Sequence, residues 1–298
     1  MVWREHNGEL LGSYDGHSGV IWSIDCSPDS RHFLSGSGDN SAKLWDTEHG
    51  KVILDMPTAS PVRFVDFALG GAQCLLLTDN TMGESSTVQI FDLRSSVGAG
   101  AAGSKATPVK TIKIAAAGAE KSTIARWSDC NRYVLVGQEN GTLAVYDANT
   151  GNCLQNTKLF GAAITDMQWS VDRTYFIASS KDHTAKIYDA SDYSCKKVFR
   201  TERPVNSAAI SPIRNEVILG GGQEAMSVTT TAQNKGKFEV RFFDAVLEEE
   251  VGQVRGHFGP INTVAYHPGG LGFASGAEDG YVRLHRFDPD YYNFDISK

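Results

Sequence analysis

Near the start of the chain, Ser35, His17 and Asp39 have the residue types of a hydrolase triad. A catalytic serine needs a base to take its proton and an acid to orient that base. It also needs a strained, exposed turn, as in a Gly-x-Ser-x-Gly elbow. Ser35 instead ends a short run, His32 to Ser35, that reads as strand, and no elbow surrounds it. The trio coincides with a buried hydrogen-bond relay. Trp45 offers an indole N–H, Ser35 a hydroxyl, His17 an imidazole and Asp39 a carboxylate, so every polar group finds a partner. These four are read as a structural tetrad that pins the turn between two strands. His257, Ser275 and Asp279 repeat three of its members, with His285 in the tryptophan place. His257, His267 and His285 fall on a loop, a turn and a strand without carboxylate or cysteine partners, so no metal site is expected. Neither catalysis, a cofactor nor a small-molecule ligand is expected.

The elements that position the tetrad repeat along the chain. From Gly16-His17 an apolar run, Val20 to Cys26, leads through Ser27-Pro28-Asp29-Ser30 to a second run, then Gly38-Asp39-Asn40 and a third run closing on Trp45-Asp46. Short apolar runs separated by Pro, Asp and Gly clusters read as strands joined by tight turns. Places equivalent to Trp45 are Trp3, Phe91, Tyr146, Tyr188, Phe243 and His285, at intervals of 42, 46, 55, 42, 55 and 42. A Gly-His opening, a Trp-Asp close and a spacing of about 40–45 residues mark WD repeats, each of which supplies a blade of a β-propeller. From Pro28, Asp129, Val171 and Pro268 the step to the aromatic marker is 17 each time, a second feature in the same register.

The expectation is one all-β domain, a WD40 β-propeller of the seven-bladed type. Residues 1–14 are read as the last two strands of a first blade, from a start that looks truncated. Six complete repeats follow, at 15–57, 58–108, 109–156, 157–198, 199–253 and 254–298, with 95–108 a flexible insertion. Repeats lacking the tetrad, such as the fourth with Ala178 and Tyr188, are expected to rely on apolar packing between neighbours. Loss of Trp45 should therefore cost more than loss of Tyr188.

Composition narrows the function classes. The 298 residues carry a net charge of −7, and no global positive field draws nucleic acid toward them, so strong direct nucleic-acid binding is not expected. Five cysteines occur singly, without metal-type spacing, and read as reduced thiols. No run reaches the roughly 18 apolar residues of a membrane span, and a cytoplasmic location with no membrane partner is expected.

Longer stretches carry a resemblance. Phe199-Arg-Thr-Glu-Arg-Pro-Val-Asn-Ser-Ala-Ala-Ile-Ser-Pro212, Leu219-Gly-Gly-Gly-Gln-Glu-Ala-Met-Ser-Val-Thr-Thr-Thr231 and Val254-Arg-Gly-His-Phe-Gly-Pro-Ile-Asn-Thr-Val264 closely resemble the i-subunit family of eukaryotic translation initiation factor 3. The likeness covers the whole chain and weakens between 95 and 120. It implies a noncatalytic cytoplasmic scaffold, holding the b and g subunits of that factor and reaching the small ribosomal subunit through the complex. A WD adaptor for a receptor kinase is the alternative reading. Arg200, Glu202 and Arg203 lie between strands, where side chains project, and Gln223, Glu224 and Met226 lie in a glycine-rich turn beside them. Backbone with little side chain next to an adaptable methionine suits an incoming amphipathic helix, so these six are the expected partner-binding residues.

Overall fold

The computed structural model describes residues 1–81, 85–94, 103–114, 120–222 and 238–293. They form two compact units, residues 1–159 and 160–298. Apart from one short helix, every described element is a strand.

In the first unit a two-stranded pair, β1 (Val2–Trp3) and β2 (Leu10–Gly12), precedes three sheets. The first sheet is β3 (Ile21–Cys26), β4 (His32–Ser37), β5 (Ser41–Asp46) and β6 (Val52–Pro57). The second holds β7 (Val62–Phe67), β8 (Gln73–Thr78), β9 (Thr87–Asp92) and β11 (Lys110–Lys113), and β10 (Ser104–Lys105) precedes β11 in the chain. The third is β12 (Ser122–Trp127), β13 (Tyr133–Gln138), β14 (Thr142–Asp147) and β15 (Cys153–Lys158). The second unit repeats the plan. Its sheets are β16 (Ile164–Trp169) with β17 (Tyr175–Ser180), β18 (Thr184–Asp189) and β19 (Cys195–Arg200); β20 (Val205–Ile210) with β21 (Glu216–Gly221), β22 (Glu239–Asp244) and β23 (Glu250–Arg255); and β24 (Ile261–Tyr266) with β25 (Gly272–Ala277) and β26 (Val282–Arg286).

Three expectations are corrected. The described residues hold six blade-type sheets, not seven. Among the described residues the last repeat has three strands, and helix α1 (Pro289–Asn293) follows β26 where a fourth strand was expected. Part of the supposed flexible insertion is ordered: β10 runs parallel to β6, with Ser104 opposite Leu54, and Ala106 N–H donates to Asp55 O at 2.9 Å. Residues 95–102 lie outside the described residues.

The sheets are copies in detail. In all six first strands the register slips between the first and third residues, as at Ile21/Ser23 and Ile261/Thr263. Such a bulge bends the strand and increases its twist. At the turn from second to third strand, Asn40, Gly141, His183 and Gly280 all have φ between 62° and 86°. Asn and Gly tolerate that left-handed conformation, and for this reason Asp-Asn, Asn-Gly and Asp-Gly punctuate the repeats.

Sheets within a unit pack through their first strands. Val62, Val65 and Phe67 of β7 share one buried cluster with Leu34, Ala42 and Leu44 of the preceding sheet. Ile261 and Val264 of β24 do the same with Ile218 and Phe242. Polar stitches run beside this packing: Phe67 N–H donates to Asp25 Oδ2 at 2.7 Å, and Val264 N–H to Ser207 Oγ at 3.1 Å. The short helix is fastened to the sheet before it. Tyr291 stacks on Phe287, ring centroids 3.9 Å apart, and its hydroxyl donates to buried Glu216, whose other oxygen is 3.0 Å from Arg214 Nε.

Candidate partner-binding surface

The triad-like residues meet. His17 sits on the loop entering the first sheet, Ser35 on β4, Asp39 in the following turn and Trp45 on β5. His17 Nδ1 is 2.9 Å from Asp39 Oδ2, and its Nε2 is 2.7 Å from Ser35 Oγ. Trp45 Nε1–H donates to the same Oγ at 2.7 Å. Ser35 is 1% exposed. A hydroxyl covered to that degree, with the indole N–H already donating to its oxygen, lacks the access that attack on a substrate requires. Asp39 also accepts from Ser18 N–H at 2.9 Å and Ser41 Oγ–H at 2.7 Å. Burial pushes its carboxyl up, but the hydrogen bonds from Ser41, His17 and Ser18 outweigh this and hold it well below the usual carboxylate range.

The sixth repeat builds the same relay without its tryptophan. His257 Nε2 is 2.8 Å from Ser275 Oγ, and its Nδ1 is 3.0 Å from Asp279 Oδ2. The Phe258 N–H is the largest influence lowering the Asp279 carboxyl to about 2; burial opposes it, while the Tyr281 N–H and His257 assist it. His285 stacks on Phe273 at 4.6 Å and 13°. Burial, then His257 and Arg283, push its imidazole down toward the neutral form. His267 Nδ1 instead accepts from Gly269 N–H at 2.9 Å. Among the described residues no group of three or more His, Cys, Asp or Glu is placed to hold a metal ion.

The charged surface after β19 is held by backbone. Thr201 N–H donates to His183 O at 2.9 Å and its hydroxyl to Arg203 O at 2.6 Å, setting the turn that leaves Arg200 and Glu202 exposed and Arg203 half-buried. Pro204 O then accepts from Gly222 N–H at 3.2 Å. Any side chain at Gly221 would meet that oxygen at 2.1 Å, so glycine is required there. The result is a small depression lined by Arg203, Val205, Leu219, Gly220, Gly221, Gly222, Glu239 and Arg241. Glu239 pairs with Arg255 at 2.7 Å, and Arg241 with Glu250 at 3.4 Å. The depression is lined by glycine backbone and by the partly buried Arg203 and Arg241, with no nucleophile poised beside a base. Gln223, Glu224 and Met226 lie outside the described residues.

Two features escaped the sequence reading. Glu239 and Arg241 join the depression from β22, some forty residues from Arg200, and no local pattern links them. Acidic residues fifth in β3 and β7, Asp25 and Asp66, reach the next sheet's backbone; their shared place among apolar neighbours was the available signal.

Comparison with known proteins is consistent along the full chain. A family model described as EIF3I matches residues 1–297. The chain is 48% identical to "Eukaryotic translation initiation factor 3 subunit I" of Taeniopygia guttata, over 99% of this chain and 89% of the relative. It is 47% identical to the protein of that name from Rattus norvegicus, with the same coverage, and 44% identical to that from Candida albicans, over 98% of this chain and 85% of the relative.

Proposed function

We propose, because the chain belongs to the eukaryotic translation initiation factor 3 subunit I family, that it is a scaffold subunit of that factor acting through protein–protein contacts. The family consists of initiation factor subunits, not enzymes. In this reading the chain works in the cytoplasm, holds the b and g subunits, and supports assembly of the pre-initiation complex, mRNA recruitment and start-codon selection on the small ribosomal subunit. The relatives described above are all named as initiation factor 3 subunits, and a receptor-kinase adaptor gains no support from them.

The observation that carries the reading is whole-chain identity of 44–48% to these subunits, and the depression beside Arg203 adds to it. The b subunit is assigned there, with binding energy concentrated in a few anchors. Purified b subunit should bind the intact chain, and Arg203→Glu together with Gln223→Glu should weaken that binding at least tenfold while leaving the circular dichroism unchanged. Unaltered binding removes the surface. A chain that recovers no initiation factor subunits from RNase-treated extract removes the function.

A further inference from the structure

The turn from first to second strand carries a positive-φ residue at one place: Ser30, Gly71 and Asn131 in the first unit and Gly270 in the second, with φ between 57° and 71°. What that residue meets on the preceding sheet differs from junction to junction. Asn131 accepts from Leu69 N–H and donates to Leu69 O, both at 2.8 Å, and so clips the third sheet to the second. Gly270 makes room for Ile213, whose Cδ1 would lie 2.6 Å from a Cβ built there. Gly71 does neither. Among the described residues beyond its chain neighbours, a Cβ there would meet Pro28 Cδ alone, at 3.4 Å, and Asp29 takes the place that Ile213 holds in the other turn.

A cavity of about 320 Å³ lies beside Gly71, between the first and second sheets. Leu44, Phe67 and Leu93 in its lining are buried while Pro28, Asp29 and Arg94 are exposed, so it opens to solvent. Residue for residue, this is the place that helix α1 covers in the second unit. Leu44 and Phe242 are fourth in their third strands, Phe67 and Tyr266 last in their first strands, and His32 and Glu216 first in their second strands. Leu93 and Phe287 each donate an N–H to the turn of their own sheet, at Ala72 O and Leu271 O. In the second unit Tyr291 fills the place: its ring stacks on Phe287, Arg214 lies 4.7 Å from its centroid, and its hydroxyl donates to Glu216.

We propose that the cavity between the first and second sheets takes a tyrosine ring from a basic segment of a partner protein, as the equivalent place takes Tyr291 from the chain itself. Leu93 where the other unit has Phe287, and Asp29 where it has Ile213, leave the volume that an incoming ring fills, and burying a ring there is favourable. His32 stands where Glu216 receives the Tyr291 hydroxyl, and an imidazole nitrogen can accept the same bond. The charge at the opening is acidic. Arg94 is matched by Asp92, with Nε 3.0 Å from Oδ1. The Asp29 side chain is 56% exposed, and the Ser27 hydroxyl and Arg31 N–H hold its carboxyl below the usual range, so it is ionised at neutral pH. A lysine or arginine beside the tyrosine complements that charge. The site lies wholly in the first unit and does not involve the depression beside Arg203.

The peptide acetyl-Lys-Tyr-Lys-amide and its alanine analogue serve as probes, titrated against the intact chain and followed by saturation-transfer NMR. Saturation should pass to the tyrosine ring, and the alanine peptide should bind at least tenfold more weakly. Ala72→Phe plugs the cavity and should weaken the tyrosine peptide at least tenfold. Ala72 is half-buried without a positive φ, so the circular dichroism should match that of the parent. Should that variant unfold, Asp29→Lys at an exposed position still decides: it should weaken the basic peptide at least threefold and leave the neutral probe N-acetyl-tyrosinamide unchanged. A tyrosine peptide bound no better than its alanine analogue, undiminished binding by folded Ala72→Phe, or undiminished binding of the basic peptide by Asp29→Lys would each overturn the proposal.

Discussion

Asp66 in β7 binds the guanidinium of Arg126 in β12 at 2.6 Å, and the adjoining Trp127 N–H donates to its other oxygen at 2.8 Å. Burial pushes the Asp66 carboxyl up, Arg126 pulls it down and Asp25 pushes it up again, with a net upward shift. Removing the carboxylate deprives Arg126, itself stacked over Phe64, of this ion pair and the Trp127 N–H of this acceptor. Asp66→Ala should therefore destabilise the chain by about 3–5 kcal/mol, the usual cost of breaking one side of a buried pair. Urea unfolding followed by tryptophan fluorescence measures it, and a loss below about 1 kcal/mol would show the stitch to be dispensable.

Trp45 and Tyr188 occupy the same place in their sheets, and both are fully buried. Truncating either ring to alanine should cost about 3–5 kcal/mol in lost packing. Trp45→Ala also strips Ser35 of its indole donor, adding about 1 kcal/mol for a buried polar atom short of a partner. Tyr188 contributes chiefly by stacking on Phe176, ring centroids 5.5 Å apart at 25°. Thermal melts should thus fall further for Trp45→Ala, and equal shifts would deny the relay a stabilising role.

The Asp39 carboxyl is held below its ordinary range, so the folded chain releases that proton more readily than the unfolded one. Its contribution is complete above the unfolded value of about 3.9 and is lost as pH falls through the lower folded value. Asp39→Asn should lower the melting temperature at neutral pH and narrow its gap from the parent as pH drops below about 4. A gap that stays constant from neutral to strongly acidic pH would contradict the assignment.

The tetrad was legible because its parts are local. His17 to Trp45 span one repeat, and each lies at a strand end, turn or mid-strand place that the punctuation reveals. The last repeat was misread because its three strands obey the same punctuation, although Asp288-Pro289 after Phe287 marks a turn and a helix start. Tyr291, stacked on Phe287 and reaching Glu216 and Arg214, holds a helix of five residues, too short to persist without a docking site. Strand β10 was read as flexible from its Gly, Ala and Ser content, yet the open edge of β6 supplies the hydrogen bonds that order it.

Strand positions, turn chemistry and the all-β class were written into residue order, since each depends on alternation and on φ preferences spanning only a few neighbours. Which volumes face each other across sheets was not. The closeness of Gly36 to Val62 and Val65 and the gathering of Arg203 with Glu239 and Arg241 arise where strands distant in the chain become adjacent. Packing energy depends on atoms in contact, and a linear order carries no direct measure of that.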